Sequence, residues 1–191
     1  LDLDYCNQLN ADFLDFSHNI NLTFLDVRYC NLDSLNISAN TNLETLYCYG
    51  NQLTWLDVSD NINLTTLYCY SNSLDSLDVS TNTALTTLNC SYNNLTFLDL
   101  RNGNNIYIFN SINNTNLYCI DVDDPTWSTA NYQNIDPWHS FSADCSNENI
   151  GCTDTNALNF DSLANTNVGC VYPILGCTNP TAFNYNVTAT V

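Results

Sequence analysis

The 191-residue chain contains no lysine and no methionine, and Arg28 and Arg101 are its only strong bases. Twenty acidic residues oppose them, so the formal net charge is −18. Nucleic-acid binding needs clustered lysine or arginine to neutralise phosphates, and an anionic membrane surface would repel this chain in the same way. We therefore expect neither partner, and an acidic surface that suits solubility and divalent cations.

Other absences narrow the function classes. No apolar run is long enough to span a bilayer, and no signal peptide is visible. The five glycines form no phosphate cradle, and His18 and His139 are the only histidines. No Ser–His–Asp or Cys–His constellation can be assembled, so we expect no enzymatic activity. The chain begins inside a repeat and stops inside another motif, so we expect it to be a piece of a longer mature protein.

What the chain has in abundance is a repeat of 21 residues. The first position is leucine in five units, the fourth is Leu25, Leu46, Leu67 and Leu88, and the ninth is Asn51, Asn72 and Asn93, with Cys30 in the second unit. The pattern L-x-x-L-x-φ-x-x-N-x-L is the leucine-rich repeat signature. The units begin at Leu1, Leu22, Leu43, Leu64 and Leu85, with a degenerate sixth at Ile106.

Each unit reads as two half-turns, because the spacing of its first half recurs in its second half with another asparagine column. Neither half leaves room for a helix of about ten residues. The sequence thus predicts a mainly β solenoid with short parallel strands on one or both sides and stacked leucines as a continuous core. The asparagines are expected to turn inward as ladders that satisfy backbone groups at the bends. The second column comprises Asn19, Asn40, Asn61 and Asn82.

Three cysteines recur at the sixth position of the unit, between inward leucines: Cys48, Cys69 and Cys90. Cys6 and Val27 hold the same phase. The pattern favours small, buried core residues, since cysteine packs as a hydrophobe. The alternative is a thiol column that binds a soft metal or forms redox pairs. It lacks C-x-x-C spacing and a histidine partner, and valine offers no ligand.

The third, fifth and seventh positions alternate with the buried ones and should face solvent. Tyrosines concentrate there, bordered by threonines, which is typical of binding surfaces for proteins or glycans. An alternative remains open, in which cross-strand tyrosine and threonine only stabilise the sheet. The predicted ligand-binding face consists of Tyr5, Arg28, Tyr47, Tyr49, Tyr68 and Tyr70.

A second outward column is acidic, and its like charges would lie about 5 Å apart in register. We expect each of these residues to close a local turn with the following serine, since aspartate favours such backbone bonds. Loosely bound Ca²⁺ is the alternative. The column comprises Asp15, Asn36, Asp57, Asp78 and Asp99.

Residues 1–110 are predicted to form the solenoid and 111–148 its C-terminal cap, which loses the 21-residue phase and carries Trp127 and Trp138. The units with "LDVS", followed by "LYCIDVDD", "STANYQNID" and "SFSADC", resemble leucine-rich repeat proteins exported by Bacteroidota such as flavobacteria. This resemblance covers residues 1 to 146. It implies secretion, commonly by the type IX system, and in that setting a disulfide between Cys119 and Cys145.

Two cysteine-containing modules follow, at 149–173 and, incomplete, at 174–191. "GCTDTNALNFDSLANTNVGC" and "GCTNPTAFNYNVTATV" resemble the tandem "GCTDPTAFNYNPNATVDDGSC" modules of large secreted proteins of the same bacteria. The resemblance implies a disulfide between Cys152 and Cys170, a partner for Cys177 beyond Val191, and a role as stalk. Four side chains of the first module offer oxygen ligands for Ca²⁺, although turn formation explains them equally well. They are Asp154, Asn156, Asn159 and Asp161.

Asp-Ser-Leu occurs three times and resembles the site of O-glycosylation in Bacteroidota, marking Ser34, Ser76 and Ser162. Together these features predict a secreted or cell-surface binding and adhesion protein without enzymatic activity. Its repeat face would recognise a protein or glycan, and Ca²⁺ is the only cofactor considered. The alternative is a structural subunit of an extracellular filament or surface layer that assembles through repeat–repeat contacts, with Ca²⁺ bridging acidic faces.

Overall fold

A computed structural model describes residues 1–3, 14–147, 150–158, 160–167, 170 and 172 of the chain. The chain divides into two compact units, Leu1–Cys145 and Ser146–Val191. The first unit is a leucine-rich repeat solenoid built mainly of short parallel strands, which confirms the predicted fold class. Among the described residues, none of the helical segments has the length and apolar character needed to traverse a bilayer.

One parallel sheet collects the first half of each coil. Its strands pair at intervals of 21 residues, so Leu25 pairs with Leu46, Leu46 with Leu67 and Leu67 with Leu88. Each strand has only three residues because the chain must turn into the second half of the coil. The strands are β1 (Phe24–Asp26), β2 (Thr45–Tyr47), β3 (Thr66–Tyr68), β5 (Thr87–Asn89) and β7 (Ile108–Asn110).

The second half of the later coils forms another parallel sheet. It contains β4 (Ser76–Asp78), β6 (Phe97–Asp99), β8 (Cys119–Asp121) and β9 (Ser140–Ser142). The last two strands lie within the segment predicted as an out-of-phase cap, so strand pairing continues past residue 110. Asp99 pairs with Asp121, a step of 121 − 99 = 22 residues, and this one-residue insertion hides the phase from the sequence.

The end of the solenoid is covered by aromatic side chains around α1 (Pro125–Asn131). Asp124 caps this helix by accepting hydrogen bonds from the amides of Thr126 and Trp127, each at 3.0 Å. The ring centroid of Tyr132 lies 4.7 Å from that of Phe109 and 5.4 Å from that of Trp127. These rings shield the apolar end of the stack, as a terminal coil requires.

A disulfide joins Cys119 of β8 to Cys145, the pairing that the resemblance implies. Cys145 begins a 3₁₀ turn at Cys145–Asn147, and its amide donates to a carboxylate oxygen of Asp121 at 2.7 Å. The covalent link and the hydrogen bond therefore tie the same short segment to β8.

The core follows the predicted register. The leucines at positions one and four of the central coils are fully buried, and so are Cys48, Cys69 and Cys90, whose thiols are free. Cys30, which stands in place of the ladder asparagine in the second unit, differs from them. It is buried and disulfide-bonded, to a partner outside the described residues.

The asparagines of the first ladder connect neighbouring coils. The Oδ1 atom of Asn51 accepts from the amides of Cys30 and Leu32 at 3.0 and 3.1 Å. Its Nδ2 donates to the carbonyls of Val27 and Cys48 at 2.9 and 2.8 Å. One buried side chain thus satisfies four backbone groups that the bend leaves unpaired. Asn72, Asn93 and Asn114 repeat three of these bonds in the next coils, each accepting one amide and donating to two carbonyls.

The asparagines of the second ladder donate hydrogen bonds through Nδ2 but accept none through Oδ1. Asn61 Nδ2 donates to the carbonyls of Ile37 and Asn40 at 3.1 and 2.9 Å, and Asn40 and Asn82 make the equivalent pairs. The Oδ1 atoms of Asn40, Asn61 and Asn82 are buried and accept no hydrogen bond. The first ladder therefore satisfies more backbone groups per residue than the second.

A column of left-handed residues lies beside the first ladder. The eighth position of the second to sixth coils has positive φ, between 53° and 69°, at Tyr29, Gly50, Ser71, Tyr92 and Asn113. This conformation costs a non-glycine residue roughly 1–2 kcal/mol. The neighbouring asparagine bonds hold it in place, because they fix the carbonyls on either side of the bend.

The second unit is a small disulfide-closed module. Strands β10 (Ile150–Gly151) and β11 (Thr166–Asn167) pair in parallel. The backbone of Cys152 also forms an isolated parallel β-bridge with that of Phe160. Cys152 is disulfide-bonded to Cys170, the pairing that the resemblance implies. The predicted second module, 174–191 with Cys177, lies outside the described residues.

The two ladders predict different costs for removing an asparagine. We expect Asn51→Ala to lower the free energy of unfolding by about 3 kcal/mol or more, because it leaves buried donors and acceptors unsatisfied. Asn61→Ala leaves only two buried carbonyls without a donor, and we expect the free energy of unfolding to fall by about 2 kcal/mol. The exposed Asn63, whose Nδ2 reaches the carbonyl of Thr41, serves as control; Asn63→Ala should stay within about 0.5 kcal/mol. Urea unfolding monitored by circular dichroism measures all three, and equal losses for Asn51 and Asn61 would contradict this account.

Candidate ligand-binding face

The predicted tyrosines form two stacked columns on the outer surface of the first sheet. The rings of Tyr47 and Tyr68 are stacked with centroids 5.1 Å apart, and those of Tyr49 and Tyr70 with centroids 4.2 Å apart. The in-register pairing of β2 with β3 produces both stacks, since equivalent residues of parallel neighbours lie about 4.8 Å apart. Phe24 extends the first column with an edge contact to Tyr47 at 5.6 Å.

Accessibility differs between the columns, and this corrects the prediction that all four rings face open solvent. Tyr47, Tyr68 and Tyr70 are partly exposed, whereas Tyr49 keeps only 9% of its surface. Tyr29 packs edge-on against Tyr49 at 5.4 Å, and Tyr70 covers its other side. Burial and the hydrogen bond to Tyr49 raise the pKa of Tyr70 above its ordinary value.

Arg28 braces this surface. Its Nη1 donates to the hydroxyl of Tyr49 at 2.8 Å, and its Nη2 lies 3.1 Å from a carboxylate oxygen of Asp26. Asp26 was expected to point outward but is 1% exposed, because the arginine folds over it. The Arg28 guanidinium therefore holds the column of Tyr49 and Tyr70 in position. Tyr5 of the predicted face lies outside the described residues.

Sequence reasoning missed Tyr29 as a member of this surface. A Cβ added to Gly50 would lie 2.4 Å from the Tyr29 ring, so only glycine at this position lets the ring settle over the coil. Gly50 also has a φ of +69°, which favours glycine for a second reason. The signal was present, since Tyr29 and Gly50 share the eighth position of successive units.

The acidic column closes turns, as expected. Asp15, Asp57 and Asp78 each accept, through Oδ1, the amide of the serine two residues later, at 2.8–2.9 Å. Asn36 and Asp99 make the same turn to Ser38 and Arg101. The bonds from Ser59 lower the pKa of Asp57, which keeps it ionised. No cluster of three or more metal-binding side chains occurs in the described part of the chain.

The oxygen ligands proposed in the module engage in turn formation. The two carboxylate oxygens of Asp154 accept from Asn156 and from the hydroxyl of Tyr172, both at 2.9 Å. Asp161 accepts from the amide of Leu163 at 2.9 Å. Asn159 lies outside the described residues. Every candidate glycosylation serine, Ser34, Ser76 and Ser162, is exposed; their modification stays a prediction.

The structure brings together three residues that the sequence did not connect. Ser111 Oγ lies 3.3 Å from His139 Nδ1, and His139 Nε2 lies 3.4 Å from a carboxylate oxygen of Asp136. Asp136 also accepts the amides of Asn113 and Asn114 at 3.1 and 3.0 Å. The Ser111 residue and the His139 side chain have no exposed surface, so no substrate can reach this cluster. It is a buried network that supports a bend of the solenoid.

No protein-family model matches the chain, and no curated protein is detectably similar to it. Among solved structures, the chain is similar to the functional domain of InlJ from Listeria monocytogenes, at 36% sequence identity and a TM-score of 0.46. The similarity covers 57% of this chain and 22% of that one. The InlJ domain is described as including a cysteine ladder.

The core cysteines are predicted to be chemically silent in the folded chain. Burial raises the pKa of Cys69 to about 12 and that of Cys48 and Cys90 in the same direction, so thiolate is scarce and unreachable. We expect iodoacetamide to leave all three unmodified under native conditions and to modify them in guanidinium without reductant. Peptide mass mapping provides the readout, and native labelling of Cys69 would contradict the buried column.

His139 is predicted to make stability depend on pH. Burial lowers its pKa despite the nearby Asp136, so the unfolded chain binds the proton more readily. Its stabilising contribution is present above the unfolded pKa, about 6.5, and is lost as pH falls through the range below it. Between about pH 7.5 and about pH 5.5, where carboxylates stay ionised, the melting temperature should fall more for wild type than for His139→Gln. Identical pH profiles would refute a buried neutral imidazole.

Proposed function

We propose that this chain is an extracellular or cell-surface protein without enzymatic activity that binds a protein or glycan through its tyrosine face. The observation that carries the proposal is the pair of stacked columns, in which Tyr47 and Tyr68 present aromatic surface and hydroxyls to solvent. Their rings are held by each other and by the sheet. Little side-chain entropy would be lost on binding, which favours recognition by such residues.

An oxidising location is supported by cysteine chemistry. Disulfides persist outside the cytosol, and both units of the chain contain one, at Cys119–Cys145 and Cys152–Cys170. Secretion by the type IX system of a Bacteroidota cell fits the motif resemblance of residues 1 to 146. The disulfide-closed module would then act as a stalk that spaces the solenoid from the cell.

The absence of enzymatic activity is proposed from the buried state of the reactive groups described. The Ser111–His139–Asp136 network and the Cys48, Cys69 and Cys90 thiols are enclosed in the solenoid. At the surface, His18 lies 3.2 Å from Ser17 Oγ and 4.0 Å from Asp15, but both contacts use its Nδ1 atom, so these residues form no Ser–His–Asp relay. The other exposed groups named above are aromatic, hydroxyl and carboxylate, which suits binding.

The proposal predicts that the double variant Tyr47→Ser/Tyr68→Ser loses ligand binding and keeps the fold. These two rings are partly exposed and stack on each other, whereas Arg28 bonds to Tyr49 of the other column, so only stacking worth about 0.5–1.5 kcal/mol is lost from stability. The full chain, fluorescently labelled, is applied to a printed glycan array and a panel of extracellular-matrix proteins. Binding detected for wild type should weaken at least about tenfold.

Tyr107→Ser is the matched control, because Tyr107 is 75% exposed and lies outside the two columns. Binding by the double variant equal to wild type would contradict the proposal. Sedimentation velocity on the same samples addresses assembly into filaments. If the double variant still forms oligomers and wild type binds nothing on the glycan array or the protein panel, a structural role is favoured over recognition.

A further inference from the structure

Trp55 is a large exposed residue on the second half of the coils. It is 61% exposed, and the same position holds Ser34 and Ser76 in the two neighbouring units and Phe97, 41% exposed, in the unit after Ser76. The fold therefore does not need an aromatic ring here. Exposing a large apolar side chain to water is unfavourable in free energy, and binding a ligand would cover it.

Two open clefts meet at Trp55. One has a volume of about 280 Å³ and is lined by Trp55, Asp57, Ser76 and Asp78, among others. The other, of about 370 Å³, is lined by Ser34, Asn36, Trp55, Asp57 and Asp60, among others. Trp55 and Asp57 line both clefts, so a bound group in either one contacts an indole and a carboxylate together.

The carboxylates at this site carry charge that no side chain of the described chain neutralises. Asp57 and Asp78 accept the amides of Ser59 and Ser80 through Oδ1, and the Ser59 side chain also hydrogen-bonds to Asp57, but these donors carry no charge. The only two strong bases of the sequence lie elsewhere, Arg28 against Asp26 and Arg101 against Asp99. The clefts thus combine an exposed π face with uncompensated negative charge.

We propose that Trp55 and its flanking carboxylates bind organic cations, namely the lysine or arginine side chains of a basic segment of a partner protein. Tryptophan is the aromatic residue that attracts a cation over its face most strongly. Carboxylates beside it supply the hydrogen-bond acceptors and the counter-charge that an ammonium or guanidinium group needs. An anionic ligand would be repelled, and a bare metal ion would have no use for the indole.

A peptide with basic residues two positions apart offers one cation to each cleft. In an extended peptide, side chains two residues apart point the same way and lie about 7 Å apart. A lysine at each end of a three-residue stretch can then enter the clefts on either side of Asp57. This site is separate from the tyrosine columns of the first sheet and stands whether or not that face binds a ligand.

The test is an NMR titration of the ¹⁵N-labelled full chain with the peptide acetyl-Lys-Gly-Lys-amide. We expect saturable shifts of the Trp55 indole and of the Ser59 and Ser76 amides, weaker at high salt because screening reduces charge attraction. The signals of Trp127 and Trp138 act as internal references. Acetyl-Gln-Gly-Gln-amide, which has the same length without charge, should produce no shift.

The repeat supplies variants that preserve the fold. Trp55→Ser installs the residue found at the same position as Ser34 and Ser76, and affinity should fall by about two- to fivefold, the share of a solvent-exposed cation–π contact. Asp57→Asn removes a charge but keeps the turn, since Asn36 makes that turn with Ser38. It should weaken binding as well. Glu44→Gln removes one exposed charge from the other half of the coil and should leave binding unchanged.

Several outcomes would overturn the proposal. They are the absence of shifts with the lysine peptide, equal shifts with the glutamine peptide, and shifts of Trp55 with a neutral disaccharide such as cellobiose but not with the lysine peptide. Undiminished affinity in both Trp55→Ser and Asp57→Asn would do the same.

Discussion

The fold depends on one constraint: each coil must satisfy its bend through a side chain supplied by a neighbouring coil. Asn51 accepts two amides from the preceding coil and donates to carbonyls of that coil and of its own. Backbone groups at a buried bend cannot be left unpaired without a cost of several kcal/mol in total. An asparagine ladder therefore requires the 21-residue spacing between coils. The same spacing aligns the leucines of successive coils into one stack.

The same constraint shapes the surface. Because coils stack in register, any outward residue meets its own equivalent one coil away, so similar side chains accumulate in columns. Aromatic residues then stack, as Tyr49 does on Tyr70. Acidic residues instead bend back to their own backbone, as Asp78 does to Ser80. Where one coil departs from its neighbours, as at Trp55 between two serines, the departure marks a position that the fold does not require.

Periodicity predicted the repeat register, the buried cysteine column and the turn-forming acids, because these are properties of equivalent positions. It could not predict side-chain contacts that cross columns. Arg28 folding over Asp26 and Tyr29 covering Tyr49 reduce the accessible part of the expected face, and neither follows from spacing alone. A 22-residue step between Asp99 and Asp121 likewise concealed that the solenoid continues beyond residue 110. The Ser111–His139 contact joins residues 28 apart that no motif links.

The most direct test of coil-on-coil stacking is removal of one complete coil. Deleting residues 64–84 takes out 21 positions and brings equivalent neighbours together, so both ladders can re-form. This shortened chain should retain its β circular dichroism and unfold in a single cooperative transition. Deleting 64–80, which removes 17 positions and breaks the register, should abolish that transition. Equal behaviour of the two deletions, whether both fold or both fail, would contradict a structure held together by in-register ladders.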